Sequence, residues 1–288
     1  MTLSGRLACR KRIPRRSRTF HVKRWLGVVF LAVLAVSDPV RAQTRDVVDV
    51  PTRPGIVERV LVLTPANSNT TALGFAGGDG GLDIRRNGVF MTGLAANFLV
   101  RSRDLFVSQG LTVVVVDAPS DHQNFPYLSG FRQTPEHVAD IRALISWARH
   151  RQVDVPVWLV GTSRGTESVA LAATELSGTA DAPDGIVLTS TILIEGLGPP
   201  PVPAMALARI TVPTLVVHHR LDGCHYCQYR DLPGLLDRLT AAPRKELITA
   251  EGGTSRGDPC DAMAYHGFNG IEDEVVGKIT KWIETTRR

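Results

Sequence analysis

Along most of the chain, short apolar runs alternate with segments whose apolar positions recur every three to four residues. Runs at 58–64, 71–76, 111–117, 156–161, 186–191, 213–219 and 246–250 read as strands. From Leu111 onward most are nearly unbroken stretches of valine, leucine and isoleucine rather than alternations, which is what parallel strands buried on both faces require. The clearest helix begins at Thr134, a capping residue followed by Pro135 and Glu136, after which Val138, Ile141, Leu144, Ile145 and Ala148 fall on one face. Further helices are expected over 94–108, 164–176, 232–239 and 271–284. This alternation predicts an α/β fold, a mostly parallel central sheet with helices on both faces. No linker rich in Pro, Gly or Ser is long enough to separate two domains, and no internal repeat is present, so residues 43–288 read as one domain.

Charge changes the picture only at the N-terminus. The chain of 288 residues carries a net charge of +5, but ten of its 33 lysines and arginines lie within residues 1–42, against one acid, Asp38. The remaining residues hold 23 basic and 27 acidic side chains, a net charge of −4, which argues against a nucleic-acid-binding surface on the folded body. Within the basic leader, Lys23 and Arg24 precede an apolar run at 25–36 that is short for a membrane span and suits the core of a signal peptide. Val40-Arg41-Ala42 supplies small residues at the two positions a signal peptidase reads, so cleavage is expected after Ala42, leaving a periplasmic or secreted protein with no membrane attachment. An uncleaved anchor is the alternative. Arg15-Arg16 suggests a twin-arginine signal, although Arg18 stands where an apolar residue is expected.

The sharpest chemical signal is Gly161-Thr162-Ser163-Arg164-Gly165, directly after the strand Val157-Trp158-Leu159-Val160 and directly before a helix. A serine on such a turn sits in a strained backbone that needs glycine on both sides and lifts the hydroxyl above the sheet edge. The backbone N–H of Arg164 can then face a developing oxyanion. The acid and the base that activate such a serine follow it in chain order. Asp222 lies just past the strand ending at His219, and His266 lies between the last strand and the last helix. A second oxyanion donor is expected from Gly77-Gly78-Asp79-Gly80-Gly81, with the N–H of Gly78 or Asp79 as candidates; neither dinucleotide nor P-loop spacing follows that run. Asp121 and His122 follow another strand and are candidates for the pocket wall or for a polar loop. In the tandem His218-His219, one ring is expected to be buried in the sheet and the other to face the opposite way.

From about Val57 to the C-terminus the chain resembles the α/β-hydrolase superfamily, with Gly161-Thr162-Ser163-Arg164-Gly165, Asp222 and His266 matching its triad pattern. It looks in particular like secreted bacterial serine hydrolases that carry a glycine-rich oxyanion loop, an Asp-Gly-Cys after the acid strand and a Cys shortly before a His-Gly-Phe. The matching segments here are Asn97-Phe98-Leu99-Val100-Arg101-Ser102-Arg103, Asp222-Gly223-Cys224 and the stretch from Cys260 to Phe268. The resemblance implies hydrolase chemistry but no agreed substrate. The triad itself reads as that of an esterase-like serine hydrolase acting on a small-molecule substrate through an acyl-enzyme, with no cofactor and no metal. Asp79 departs from the His-Gly start of this loop in many esterases. Where many relatives insert a helical cap, this chain has only about twenty residues between strands, among them Pro199, Pro200, Pro201 and Pro203, so an open site without a large lid is expected.

Leader cleavage would leave Cys224, Cys227 and Cys260 in an oxidising compartment, hence one disulfide and one thiol. Cys224 lies two residues after the acid and Cys260 six before the base, on loops that converge if the triad forms, so the expected bond is Cys224–Cys260. Cys227–Cys260 and Cys224–Cys227 are the rival pairings. Three other functions remain open on the sequence. They are a peptidase or thioesterase on the same triad, a binding protein on the same fold, and a metal site drawn from Cys224, His225, Cys227, Cys260, His266 and His219.

Overall fold

The computed structural model describes residues 43–196 and 198–286, so the leader and its cleavage site lie outside the described residues. Eight strands form one sheet: β1 (Thr44–Arg53), β2 (Ile56–Thr64), β3 (Thr70–Phe75), β4 (Leu111–Pro119), β5 (Val157–Thr162), β6 (Gly185–Thr189), β7 (Thr214–His219) and β8 (Lys245–Ala250). Their spatial order is β1-β2-β4-β3-β5-β6-β7-β8. The β1–β2 and β2–β4 pairs are antiparallel, and all pairs from β4 to β8 are parallel. The mostly parallel sheet expected from the apolar runs is therefore present. The strand not anticipated is β1, an edge strand whose residues are largely exposed or half-buried.

Both faces of the sheet are covered. Val114 and Val116 of β4 pack on the side of α3 (Pro135–Arg151), α4 (Gly165–Glu175) and α5 (Leu232–Arg238), in a core with Ile141, Leu144, Val169 and Leu235. Val113 and Val115 of the same strand point to the other side, against α1 (Phe98–Arg101), α2 (Arg103–Ser108) and α6 (Glu272–Thr286), with Phe98, Phe106 and Ile279. This two-sided burial accounts for the continuous valine run, since successive side chains of a strand face opposite ways. The Thr134 hydroxyl caps α3 by accepting from the N–H of His137 at 3.2 Å, with Pro135 in the first turn. The helix expected over 94–108 is instead broken. A 3₁₀ turn at Gly93–Ala96 gives way to α1 at Asn97, and Ser102 divides α1 from α2. Between β6 and β7 the described residues contain only two short 3₁₀ turns, Val202–Ala204 and Leu207–Arg209, and no cap domain.

Chain direction places the site. From β3 the chain crosses to β4 on one side, whereas β5 leads through β6 and β7 to β8 on the other. The carboxyl ends of β3 and β5 therefore flank the point where the order reverses, the crevice in which open α/β sheets bind ligands.

Candidate active site

Ser163 follows β5 in a left-handed backbone conformation, φ 53°, and α4 starts two residues later. The flanking glycines are sterically obligatory. A Cβ on Gly161 would lie 2.6 Å from the carbonyl oxygen of Gly165, and one on Gly165 would lie 2.1 Å from that of Phe75. The turn is pinned by Ser163 N–H donating to the Thr189 carbonyl at 3.0 Å and by the Thr166 hydroxyl donating to the Ser163 carbonyl at 2.5 Å.

Asp222 and His266, 44 residues apart in sequence, meet in the structure: His266 Nδ1 lies 2.9 Å from Asp222 Oδ2. Both residues are buried. A second imidazole, unanticipated in this role, also faces the carboxylate, with His218 Nε2 3.3 Å from Asp222 Oδ2. Because His218 Nε2 also lies 2.5 Å from the Cys227 carbonyl, which can only accept, that nitrogen carries the proton and donates. Burial alone would raise the Asp222 pKa, but hydrogen bonds from His218 and His266 outweigh it and hold the carboxyl down at about 2. Its other oxygen accepts from the N–H of Cys224 at 2.9 Å. His266 Nε2 is buried and makes no hydrogen bond, and it shares a cleft with Ser163.

The histidine loop is held from several directions. The Ser190 hydroxyl donates to the His266 carbonyl at 2.6 Å, and Arg101 donates to the Gly267 carbonyl at 2.5 Å. His219, buried like His218 but turned the other way, stacks on Tyr265 with ring centres 4.4 Å apart and donates through Nε2 to the Gly252 carbonyl at 2.9 Å. A disulfide joins Cys224 to Cys260, the pairing expected from the sequence, and leaves Cys227 as a buried free thiol. Burial pushes that thiol well above its ordinary pKa, and the negative Asp222 adds to the effect. Sulfurs of Cys224 and Cys227 and a ring nitrogen of His266 lie within 4.8 Å of one another. Cys224 is spent in the disulfide and His266 Nδ1 on Asp222, so this donor set does not fit a metal.

The glycine-rich loop after β3 reaches the serine. A Cβ on Gly77 would lie 2.9 Å from Ser163 Cβ. Gly77, Gly78, Gly93, Leu94, Asn97 and Phe98 form one wall of a cleft of about 230 Å³ whose other lining includes Ser163, Asp261, His266 and Gly267. Among the described residues, the backbone N–H groups of Gly77, Gly78, Asp79 and Arg164 have no protein acceptor. The lining stops short of Asp79, whose carbonyl accepts from Leu128 N–H at 2.8 Å and whose carboxylate accepts from Gly81 N–H at 3.3 Å. The Arg164 side chain donates to Ser129 Oγ at 2.9 Å and pairs with Glu167 at 3.6 Å. Asp121 and His122 belong to a polar loop: Asp121 pairs with Arg53, and His122 stacks on Phe131.

One supporting residue has no sequence signature. Arg132 is completely buried, and burial lowers its pKa to about 10. Its guanidinium donates to the carbonyls of Ala76 at 2.9 Å and Gly78 at 3.3 Å, the peptides either side of the loop's closest approach to Ser163, and to Ser168 Oγ at 2.9 Å. Further along, the Asp117 carboxylate accepts from the N–H groups of Leu82 and Ile84, at 2.7 and 2.8 Å, and so fixes the far end of the loop.

No protein-family model matches the chain, and no curated protein matches it in sequence. Solved structures do match its fold. A dienelactone hydrolase from Anabaena variabilis superposes with a TM-score of 0.58 at 13% identity, over 85% of this chain and 98% of its own. An esterase from Pyrococcus furiosus gives 0.61 at 12%, over 85% and 92%. An α/β serine hydrolase without a lid from Xanthomonas campestris gives 0.51 at 17%, over 83% and 95%. At these identities the likeness is one of fold, and the fold is that of the α/β-hydrolases.

Proposed function

We propose that the chain is an exported serine hydrolase that cleaves carboxylic ester-type substrates through an acyl-enzyme formed on Ser163. The observation that carries this reading is the 2.9 Å contact between Asp222 and His266 Nδ1, which leaves His266 Nε2 buried, unpartnered and in the same cleft as a serine on a left-handed turn. No hydrogen bond joins the serine to that nitrogen in this structure, and such contacts commonly tighten only with substrate bound. In the reaction, Ser163 Oγ bonds to the substrate carbonyl carbon as its proton passes to His266 Nε2. That proton then leaves with the alcohol as the carbon–oxygen ester bond breaks, and water repeats the sequence to free the acid and restore the serine. Asp222, ionised at any physiological pH with its carboxyl near 2, keeps the ring proton on Nδ1 and stabilises the imidazolium. Backbone N–H groups of Arg164 and of the glycine loop, at Gly77, Gly78 or Asp79, are the oxyanion donors.

The cleft supports a substrate class. Leu94 and Phe98 offer an apolar wall, the volume is small, and among the described residues no cap covers the mouth, a combination suited to short acyl groups on accessible esters. Export rests on the leader: a basic segment, an apolar run at 25–36 and Val40-Arg41-Ala42. The Cys224–Cys260 disulfide accords with an oxidising destination. The test is labelling with a fluorophosphonate followed by peptide mapping, together with chromogenic esters of graded acyl length, a lactone and a peptide amide. Label on Ser163 and a preference for short esters are expected, with Ser163→Ala retaining only residual turnover. Wild-type turnover in Ser163→Ala would overturn the reading.

A further inference from the structure

Asn97 stands at the break between the 3₁₀ turn Gly93–Ala96 and α1, and only 8% of its surface is exposed. Its side chain is oriented by the helix it starts: Oδ1 accepts from the N–H of Leu99 at 3.2 Å. That commitment turns the other end of the amide away from α1, toward the glycine loop. A Cβ placed on Gly77 would lie 3.3 Å from Asn97 Nδ2 and 2.9 Å from Ser163 Cβ, so the amide nitrogen and the serine flank the same spot on the floor of the cleft. Asn97 is itself part of the cleft lining, and among the described residues Nδ2 has no acceptor.

We propose that Asn97 is a catalytic residue whose side-chain amide donates a hydrogen bond to the substrate carbonyl oxygen as Ser163 attacks it, beside the backbone donors. The proposal rests on the serine-hydrolase reading above and adds to it a donor that the glycine loop does not supply. An amide suits the position because it is neutral and has no proton to lose. It therefore costs little before reaction and stabilises charge only as the carbonyl becomes an oxyanion. The capping duty alone does not explain the choice of residue, since Asp, Ser and Thr cap as well as or nearly as well as Asn. Asp has no donor, and Ser and Thr would have to donate from the same short hydroxyl that caps, so asparagine alone accepts from Leu99 on one atom and carries a donor on a second atom that reaches the cleft.

That double duty makes the test clean. Asn97→Asp preserves size and cap but replaces the donor with a negative charge, and Asn97→Ser preserves a cap while removing the longer amide N–H that reaches the cleft, without adding charge. On a chromogenic short-chain ester, kcat is expected to fall roughly 10²–10³-fold in each, as for removal of one oxyanion donor, with KM changed by less than about threefold. The thermal midpoint of both should stay within about 3 °C of wild type, the shift expected for less than about 1 kcal/mol in a domain this size. Wild-type kcat in both variants, or a loss of activity that tracks a loss of thermal midpoint in both, assigns Asn97 to the cap alone and overturns the proposal. If the wild-type protein neither reacts with a fluorophosphonate nor turns over any ester, the serine-hydrolase reading fails first and this one with it.

Discussion

Two carboxylates are buried near opposite ends of the sheet, and they behave in opposite ways. Asp222, just past β7, has two imidazoles on one oxygen and a backbone N–H on the other, and its carboxyl is held down at about 2. Glu58, on β2 in the antiparallel part, is fully buried with no hydrogen bond to either oxygen. Burial, reinforced by negative charge on Asp140 and Asp117, drives its carboxyl well above the ordinary range, and Arg53 offsets this only partly. Depth is therefore not what makes a buried acid useful; the partners are. The ionised Asp222 can orient and stabilise a base. Glu58, outside the cleft lining, is pushed toward its neutral form, the form that burial penalises least.

The contrast can be broken most decisively at the charged end. Asp222→Asn keeps the shape but removes the charge and invites the wrong imidazole tautomer, so kcat should fall by roughly 10⁴ with KM little changed. Glu58→Gln, equally buried, should leave kcat within about twofold, the size of effect expected when no group in the cleft changes. Steady-state kinetics on one ester settles both. A comparable loss from each variant, or none from Asp222→Asn, would dissolve the functional distinction between the two acids.

Stability offers a second handle, because only the Asp222 end carries a covalent tie. The Cys224–Cys260 bond spans a sequence separation of 36 residues and clamps the loop after Asp222 to the loop before His266. Replacing both cysteines with serine should cost roughly 3–4 kcal/mol through restored freedom of the unfolded chain, read as a lower denaturant midpoint at unchanged m-value. Activity should fall at denaturant concentrations where the sheet, followed by circular dichroism, is still intact. Simultaneous loss of both would mean that the bond serves the whole domain and not the alignment of His266 with Asp222.

Much of this was legible in the sequence, for reasons that differ between regions. The parallel strands announce themselves because both faces are buried, and the serine turn does so because Gly161 and Gly165 have no steric alternative. Asp222 and His266 could be placed because they follow strand ends. The misses have separate causes: β1 mixes Asp46, Asp49 and Pro51 with its valines because it is a half-exposed edge, where proline and charge are tolerated. The helix expected over 94–108 fails at Asn97 and Ser102, polar residues that cap and divide it inside an otherwise apolar segment. Arg132 reads as a surface residue because its carbonyl partners lie 56 and 54 residues away. His218 could have been suspected, four residues before the acid at the end of the same strand, but its ring direction is settled only by the Cys227 carbonyl.

The finest resolution of the comparison comes from stability against pH, where the two acids should give slopes of opposite sign. A carboxyl lowered on folding stabilises the protein above its unfolded pKa, about 3.9 for aspartate, and that stability is lost as pH falls through the folded value. For Asp222 the window runs from about pH 4 down to about 2, and the loss is on the order of 2 kcal/mol. For Glu58 the sign reverses. The folded protein holds a proton that the unfolded chain releases above about pH 4.3, so folding loses stability as pH rises from there toward the folded pKa. Glu58→Gln keeps a neutral group of the same size at every pH. Urea melts of wild type and Glu58→Gln between about pH 4 and 8 should therefore diverge as pH rises above about 4.3, the variant gaining on wild type by at most about 1.4 kcal/mol per pH unit until the Glu58 carboxyl ionises. The acid limb below pH 4 should be unchanged in Glu58→Gln and flattened in Asp222→Asn. Parallel curves for wild type and Glu58→Gln across that range would mean that Glu58 is ionised and paired in solution, and the opposition between the two acids would disappear.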